Sequence, residues 1–285
     1  MADDDRVRRL SRRLRDLVEP IAANVYFAEE AQKEYADLDL NYPEGYFASR
    51  GACMGQVPGE VIASAFGVFY PPMVTQFADA AWSKTDAATI LGARQRGATA
   101  ALERQLGKEP EGAERATELL QKLAAACTNA GRPLFSGLSS LGWPGDLVGD
   151  LWRAADLVRE HRGDGHTSAW VTSGMSAIEV LLLTEAWWGL DLNTYMRTRG
   201  WPQEDVLASI DDLRERGLLD GHRLTDAGAE VRGAVESVTD RADADKIAAL
   251  TDAEFDELFG LLEPWAKAIV ASGGYPTDPS SLTRR

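Results

Sequence analysis

The feature that most constrains the fold is a succession of apolar positions at helical spacing, each run opened by a capping residue. In VRRLSRRLRDLVEPI, Val7, Leu10, Leu14, Leu17 and Ile21 recur at steps of three and four and make one stripe on a helix. Two more amphipathic helices are expected over about 86–106 and 110–127. Asp146 caps DLVGDLWRAADLVREH, whose expected end is Gly163. Ser176 and Glu179 form a capping box for a helix reaching about Trp188, and Pro202 opens another that runs to Gly217. LLDGHRLT then alternates apolar and polar residues around Asp220-Gly221, a hairpin signal. Thr225 and the pair Thr251 and Glu254 cap the last two long helices.

This order predicts a mainly α fold: an N-terminal helical domain over 1–130 and a C-terminal helical domain over 146–272 whose only strands form the hairpin. GRPLFSGLSSLGWPG, residues 131–145, reads as a linker, and residues 273–285 read as a disordered tail. Residues 24–82, rich in aromatics, Gly and Pro, predict short helices joined by tight loops.

With 285 residues, 45% of them hydrophobic, the chain can build a substantial core. Cys53 and Cys127 match no metal or redox spacing, and no run is long and apolar enough to cross a membrane, so a reduced cytoplasmic setting is expected. The formal charge of −15 repels polyanions such as nucleic acid. Six arginines within residues 6–15 are expected to pack against acidic neighbours.

VLASIDDLRERGLLDGHRLTDAGAEVR resembles the recognition helix, wing and following helix of MarR-type regulators, in which Leu-Thr-x-x-Gly follows the wing. The likeness covers about residues 176–270 and implies a winged-helix-like C-terminal domain and a homodimer through the first and last helices. YFAEE, YFASRGACMGQV and HRGDGH resemble an actinobacterial family described as helix-turn-helix proteins of unknown activity, a likeness spanning nearly the whole chain. That family often carries a histidine after the Glu-Pro of its first helix and an Asn-Phe-His-Pro run. Here those positions read Ala22 and Val68-Phe69-Tyr70-Pro71.

A winged helix grips DNA by presenting Arg, Lys, Asn or Gln to bases and phosphates. The candidates are Arg214, Arg216, His222 and Arg223. Against them, the recognition segment carries Glu204, Asp205, Asp211, Asp212 and Glu215, so nucleic-acid binding is disfavoured.

Two of the three histidines lie in HRGDGH, residues 161–166. His161 and His166 would point about 140° apart on a continuous helix and converge only if Gly163 and Gly165 bend the chain. Bent, His161, Asp164 and His166 could serve as acid/base groups or ligands; the plainer reading is a helix stop, a turn and a new N-cap. No metal set or cofactor fingerprint stands out. Tyr26, Phe27, Tyr46, Phe47, Phe69 and Tyr70, with Glu29 and Arg50 among them, have the composition of an apolar pocket with polar fixers. Arg50 should pair with a carboxylate such as Glu29 or with an anionic ligand.

These residues favour a small-molecule-binding protein on a winged-helix scaffold, with an aromatic pocket near HRGDGH. The alternatives are a ligand-responsive MarR-like transcription factor and an enzyme of secondary metabolism using His161, Asp164 or His166.

Overall fold

The stripe read in the first helix faces the interior at Val7, Leu10, Leu14 and Ile21, while Leu17 is only partly buried and Val18 takes its place in the core. A computed structural model describes residues 2–276. The helices are α1 (Ala2–Ala23), α2 (Glu29–Ala36), α3 (Tyr42–Gly51), α4 (Gly59–Phe66) and α5 (Pro71–Trp82), followed by the longer α6 (Ala87–Leu106) and α7 (Ala113–Ala125). After α8 (Pro133–Ser139) come α9 (Leu147–Thr172), α10 (Ala177–Trp187) and α11 (Gln203–Glu215). Strands β1 (Leu219–Asp220) and β2 (Arg223–Leu224) lead into α12 (Asp226–Arg241), α13 (Ala244–Ala248) and α14 (Asp252–Ala271).

The caps do what their chemistry predicts. The Asp146 carboxylate accepts from Gly149 N–H at 2.7 Å, and capping boxes close at Ser176–Glu179 and Thr251–Glu254. A further box at Asn41–Glu44 starts α3.

The central helix is α9, which buries apolar or paired side chains on nearly every side. Its Trp152, wholly buried, donates to the Ala22 carbonyl at 3.2 Å and lies under the Arg94 guanidinium at 4.7 Å. The main core joins α1, α6, α7 and α9 to α14. A second core joins the end of α9 to α10, α11, the hairpin and α12. The stretch expected as a linker carries α8, whose Leu134, Phe135 and Leu138 are buried in a third, aromatic core. Proline at its first turn and apolar residues at helical spacing outweigh its glycines and serines.

The arginines of α1 meet acidic neighbours: Arg6 bonds Asp252 at 2.7 Å, Arg12 bonds Asp240 at 2.8 Å and Arg15 bonds Glu236 at 3.0 Å. Arg13 stacks on Phe259 of α14, so the apolar faces of α1 and α14 are spent inside the chain. Residues 273–276, read as the start of a tail, are packed down: the Tyr275 ring meets Phe27 edge-on at 5.8 Å. The rest of that tail, 277–285, lies outside the described residues.

The hairpin forms with Leu219 opposite Leu224 and Asp220 opposite Arg223. Its two turn residues are therefore Gly221 and His222, one step on from the expected Asp220-Gly221, because the positive φ that the turn needs falls on Gly221, at 58°. The Leu-Thr-x-x-Gly run has a physical reading. Thr225 caps α12 by accepting from Gly228 N–H at 3.0 Å, and its hydroxyl donates to the Gly217 carbonyl at 2.7 Å. Gly228 must lack a side chain, since a Cβ there would lie 2.1 Å from the Leu218 carbonyl oxygen. Gly228→Ala should therefore cost about 1–3 kcal/mol by pushing the hairpin off α12. Urea melts check this, and an unchanged midpoint would contradict it.

Candidate functional site

The HRGDGH stretch is neither a bend nor a stop: α9 runs through it without interruption to Thr172. Glycine inside a helix costs up to about 1 kcal/mol relative to alanine, so tertiary contacts must compensate. At Gly165 the reason is close approach. A Cβ there would sit 2.6 Å from the Arg132 guanidinium, which donates to the carbonyls of His161 and Ala242. At Gly163 the missing side chain leaves open space, for a Cβ would touch only the Glu160 carboxylate at 3.5 Å.

The continuous helix separates the three polar residues expected to act together. His161, only 2% exposed, holds Asp243 through Nδ1 at 3.2 Å and packs edge-on against Phe135. Burial lowers its pKa, although the Asp243 bond pulls the other way. Asp164, 3% exposed, accepts from the Phe135 backbone N–H at 2.9 Å and so anchors α8; burial pushes its pKa up to about 7. His166 lies on another face, its Nδ1 3.1 Å from the Thr239 hydroxyl. That hydroxyl donates to the Val235 carbonyl, so His166 donates from Nδ1 and its Nε2 is an acceptor. Burial, with Arg232 nearby, lowers its pKa to about 4 and keeps the ring neutral. Among the described residues no three His, Cys, Asp or Glu side chains are grouped so as to hold a metal ion.

His166 opens instead on a cavity of about 290 Å³ enclosed by α1, α9, α10 and α12. Apolar walls come from Leu14, Val18, Val158, Val180 and Leu181, and Trp188 and Tyr195 add aromatic surface. Six cationic side chains, Arg15, Arg50, Arg159, Arg162, Arg232 and Lys246, line it against two carboxylates, Glu19 and Glu236. The cations are held in place from behind. Arg162 donates to Ser11 at 2.7 Å, Glu236 at 2.7 Å, Asp240 at 2.8 Å and Asp243 at 3.3 Å. Arg232 bonds Glu236 at 3.0 Å and the Thr184 hydroxyl at 3.0 Å, and Lys246 bonds Asp243 at 2.8 Å. Burial works to raise the Glu236 pKa, but Arg162, Arg232 and Arg15 outweigh it and bring it to about 2. Lys246, the His161 hydrogen bond and Arg162 drive Asp243 far below the usual carboxylate range against the opposing effect of burial. These carboxylates stay ionised, and the arginines are rigid donors.

Of the residues proposed as an aromatic pocket, only Arg50 reaches this cavity. Tyr26, Tyr46, Phe47 and Phe69 stack mainly on one another and on Phe66 as core, with ring centroids 5.1–5.2 Å apart between successive pairs. Tyr70 packs on Trp201 at 5.3 Å and Phe27 on Tyr275. Arg50 does not pair with Glu29, which is exposed; it forks onto Glu160 of α9 with two 2.8 Å bonds and stacks on Phe66. Sequence reading missed Arg15, Arg159, Arg162, Arg232 and Glu236 as cavity residues. A signal existed: Arg159, Arg162, Gly163 and His166 fall on one helical face once the helix is carried through the glycines.

Trp188 and Tyr195 bound the segment that leads from α10 into a 3-10 turn at Met196–Arg199 and then α11. Glu185 folds this segment over by accepting from the Asn193 and Met196 N–H groups at 2.7 and 2.6 Å. The exposed face of α11 carries Glu204, Asp205, Asp211, Asp212 and Glu215. Both of its arginines are occupied: Arg214 bonds Asp211 at 3.1 Å and the Gly221 carbonyl, and Arg216 bonds Glu179 and Asp212. His222 and Arg223 at the hairpin tip are exposed.

A family model described as a helix-turn-helix family matches residues 11–276. No curated protein and no solved structure matches the chain.

Two of the shifted groups of α9, Asp164 and His166, give opposite pH dependences. Asp164, raised from 3.8 to about 7, contributes stability present below pH 4 that is lost as pH rises toward 7. His166, lowered from 6.5 to about 4, contributes stability present above pH 6.5 that is lost as pH falls through 4. Asp164→Asn keeps an acceptor for Phe135 and cannot ionise. Thermal melts should show it more stable than wild type at pH 8, by about 2–4 °C for each kcal/mol recovered, and close to wild type at pH 4.5. A loss of stability at pH 8 would contradict the burial argument.

Proposed function

Because this chain belongs to a helix-turn-helix family along nearly its whole length, we propose that it is a winged-helix-scaffold protein whose cavity between α1, α9, α10 and α12 binds an anionic small molecule with an apolar body. The observation that carries this reading is the cationic lining of an otherwise apolar cavity in a chain of net charge −15. Preorganised guanidinium groups favour a carboxylate or similar anion, neutral His166 offers an acceptor, and Leu14, Val18, Val180 and Leu181 suit the apolar part. On this reading α11 is a poor grip for DNA, since its carboxylates face outward and its arginines are already paired. Any homodimer would use surfaces other than the apolar faces of α1 and α14.

A second reading, a ligand-responsive regulator, is favoured by one observation: Trp188 and Tyr195 line the cavity and flank the path into the helix-turn-helix. A ligand touching them would bias how α11 is presented. An enzymatic role for His161, Asp164 and His166 has less support, because the three side chains serve different neighbours.

The test is a thermal-shift screen of carboxylates with long alkyl chains or bodies of two or more rings, with their neutral amides, on wild type and on Gly163→Leu. Leucine at this open helical position should fill the cavity while adding up to about 1 kcal/mol of stability. At least one carboxylate should stabilise wild type, its amide should not, and Gly163→Leu should lose the response. The regulator reading further expects duplex DNA affinity to fall about 10³-fold or more between 50 and 200 mM salt. No stabilising carboxylate, or an undiminished response in Gly163→Leu, would sink the ligand reading.

A further inference from the structure

A second cavity, of about 170 Å³, lies between α7, α8 and α9 and shares no lining residue with the first. Its walls are mostly apolar, formed by Ala124, Phe135, Leu141, Leu157 and the half-exposed indole of Trp143, with Gln121 and Ser139 as polar members. One cation stands among them. Arg153 of α9 is 4% exposed, and among the described residues no carboxylate lies within ion-pair reach of it. Its Nη1 has a single long bond, 3.4 Å to the Gly142 carbonyl; its Nε is buried with no partner, and its guanidinium rests 5.6 Å from the Trp152 ring. Asp156, one turn along α9, is committed to Arg94 at 2.8 Å. Burial lowers the Arg153 pKa, in contrast to Arg162 of the first cavity, whose carboxylate partners raise its own.

An unpaired buried guanidinium is costly, and removing its charge by deprotonation is not open to arginine. An anion from outside would both hydrogen-bond it and neutralise it, which water cannot do. The walls choose which one. A single guanidinium in mostly apolar surroundings suits one negative charge on an apolar body, whereas a phosphate would bring a second charge with no second cation to meet it. The cavity lies below the usual size for drug-like ligands, which restricts the body to about one ring, and the Trp143 indole offers a flat face for it.

We propose that this cavity is a second binding site, in which Arg153 pairs with the carboxylate of a small, single-ring monocarboxylate held among Phe135, Leu157 and Trp143.

The site is tested by calorimetric titration and thermal shift with benzoate, using benzamide as the uncharged isostere, on the full-length protein. Wild type should bind benzoate saturably at up to millimolar concentration, and benzamide about tenfold more weakly or worse. Arg153→Met should weaken benzoate by about tenfold or more and, without ligand, be at least as stable as wild type, because an uncompensated buried charge has gone. Should Arg153→Met fail to fold, Ala125→Phe carries the test: it obstructs the cavity from the exposed side of α7, keeps Arg153 and should lose benzoate binding. Gly163→Leu, which fills the first cavity, should leave benzoate binding here unchanged, so the two sites fail independently. Absence of saturable benzoate binding, equal affinity for benzamide, undiminished affinity in Arg153→Met and Ala125→Phe, or loss of binding in Gly163→Leu would each overturn the proposal.

Discussion

One buried guanidinium ties α9 to α1, α12 and the start of α13. Arg162, near the middle of α9, bonds Ser11 on α1, Glu236 and Asp240 on α12 and Asp243 at the start of α13. Three stretches distant in sequence, at residues 11, 162 and 236–243, meet on one side chain. Desolvating so many charges gives little net stability, since the Coulombic gain is offset by the lost hydration. Its effect is geometric. Each acceptor fixes the angle of its helix against α9, and removing the arginine would leave Glu236, Asp240 and Asp243 only their other cations, Arg15, Arg232, Arg12 and Lys246, at a cost of up to about 3–5 kcal/mol. The cavity is the volume that remains when helices are held apart by ionic spacers instead of collapsing on one another. This is why its lining is both rigid and charged.

The helices were legible because their signals are local. Caps at Asp146, Ser176, Thr225 and Thr251 bond the amides that sequence assigns to them, and the stripe of α1, Leu17 apart, is buried as its periodicity requires. The Leu-Thr-x-x-Gly run was legible as a pattern, and the clash that awaits a Cβ at Gly228 supplies its cause. What misled sequence reading was glycine. Gly163 and Gly165 look like a helix stop, yet one admits Arg132 and the other opens a cavity, and both reasons lie in partners 29 or more residues away. The linker reading of 131–145 failed similarly, because Leu134, Phe135 and Leu138 find their partners only in the folded chain.

The candidate site was legible in part. Arg50 and the HRGDGH segment were marked, and both contribute to the cavity, through Arg50, Arg162, Gly163 and His166. The aromatics marked with them turned out to pack on each other, since large rings bury the same area in a core as in a pocket and composition does not tell the two apart. Arg15, Arg232 and Glu236 could not be found from spacing alone, because charge runs on helices most often face water. Electrostatic reading of α11 depends less on tertiary structure, and the pairing of Arg214 and Arg216 within the module reinforces it.

If Arg162 is the spacer that holds the winged module to the body, its loss should be felt regionally. Hydrogen exchange on Arg162→Met measures this directly. Amides of α12 and α13 should exchange faster than in wild type while those of α2 and α6, packed on each other away from the arginine, keep their rates. Unchanged exchange in α12 and α13, or an equal acceleration throughout the chain, would contradict the account.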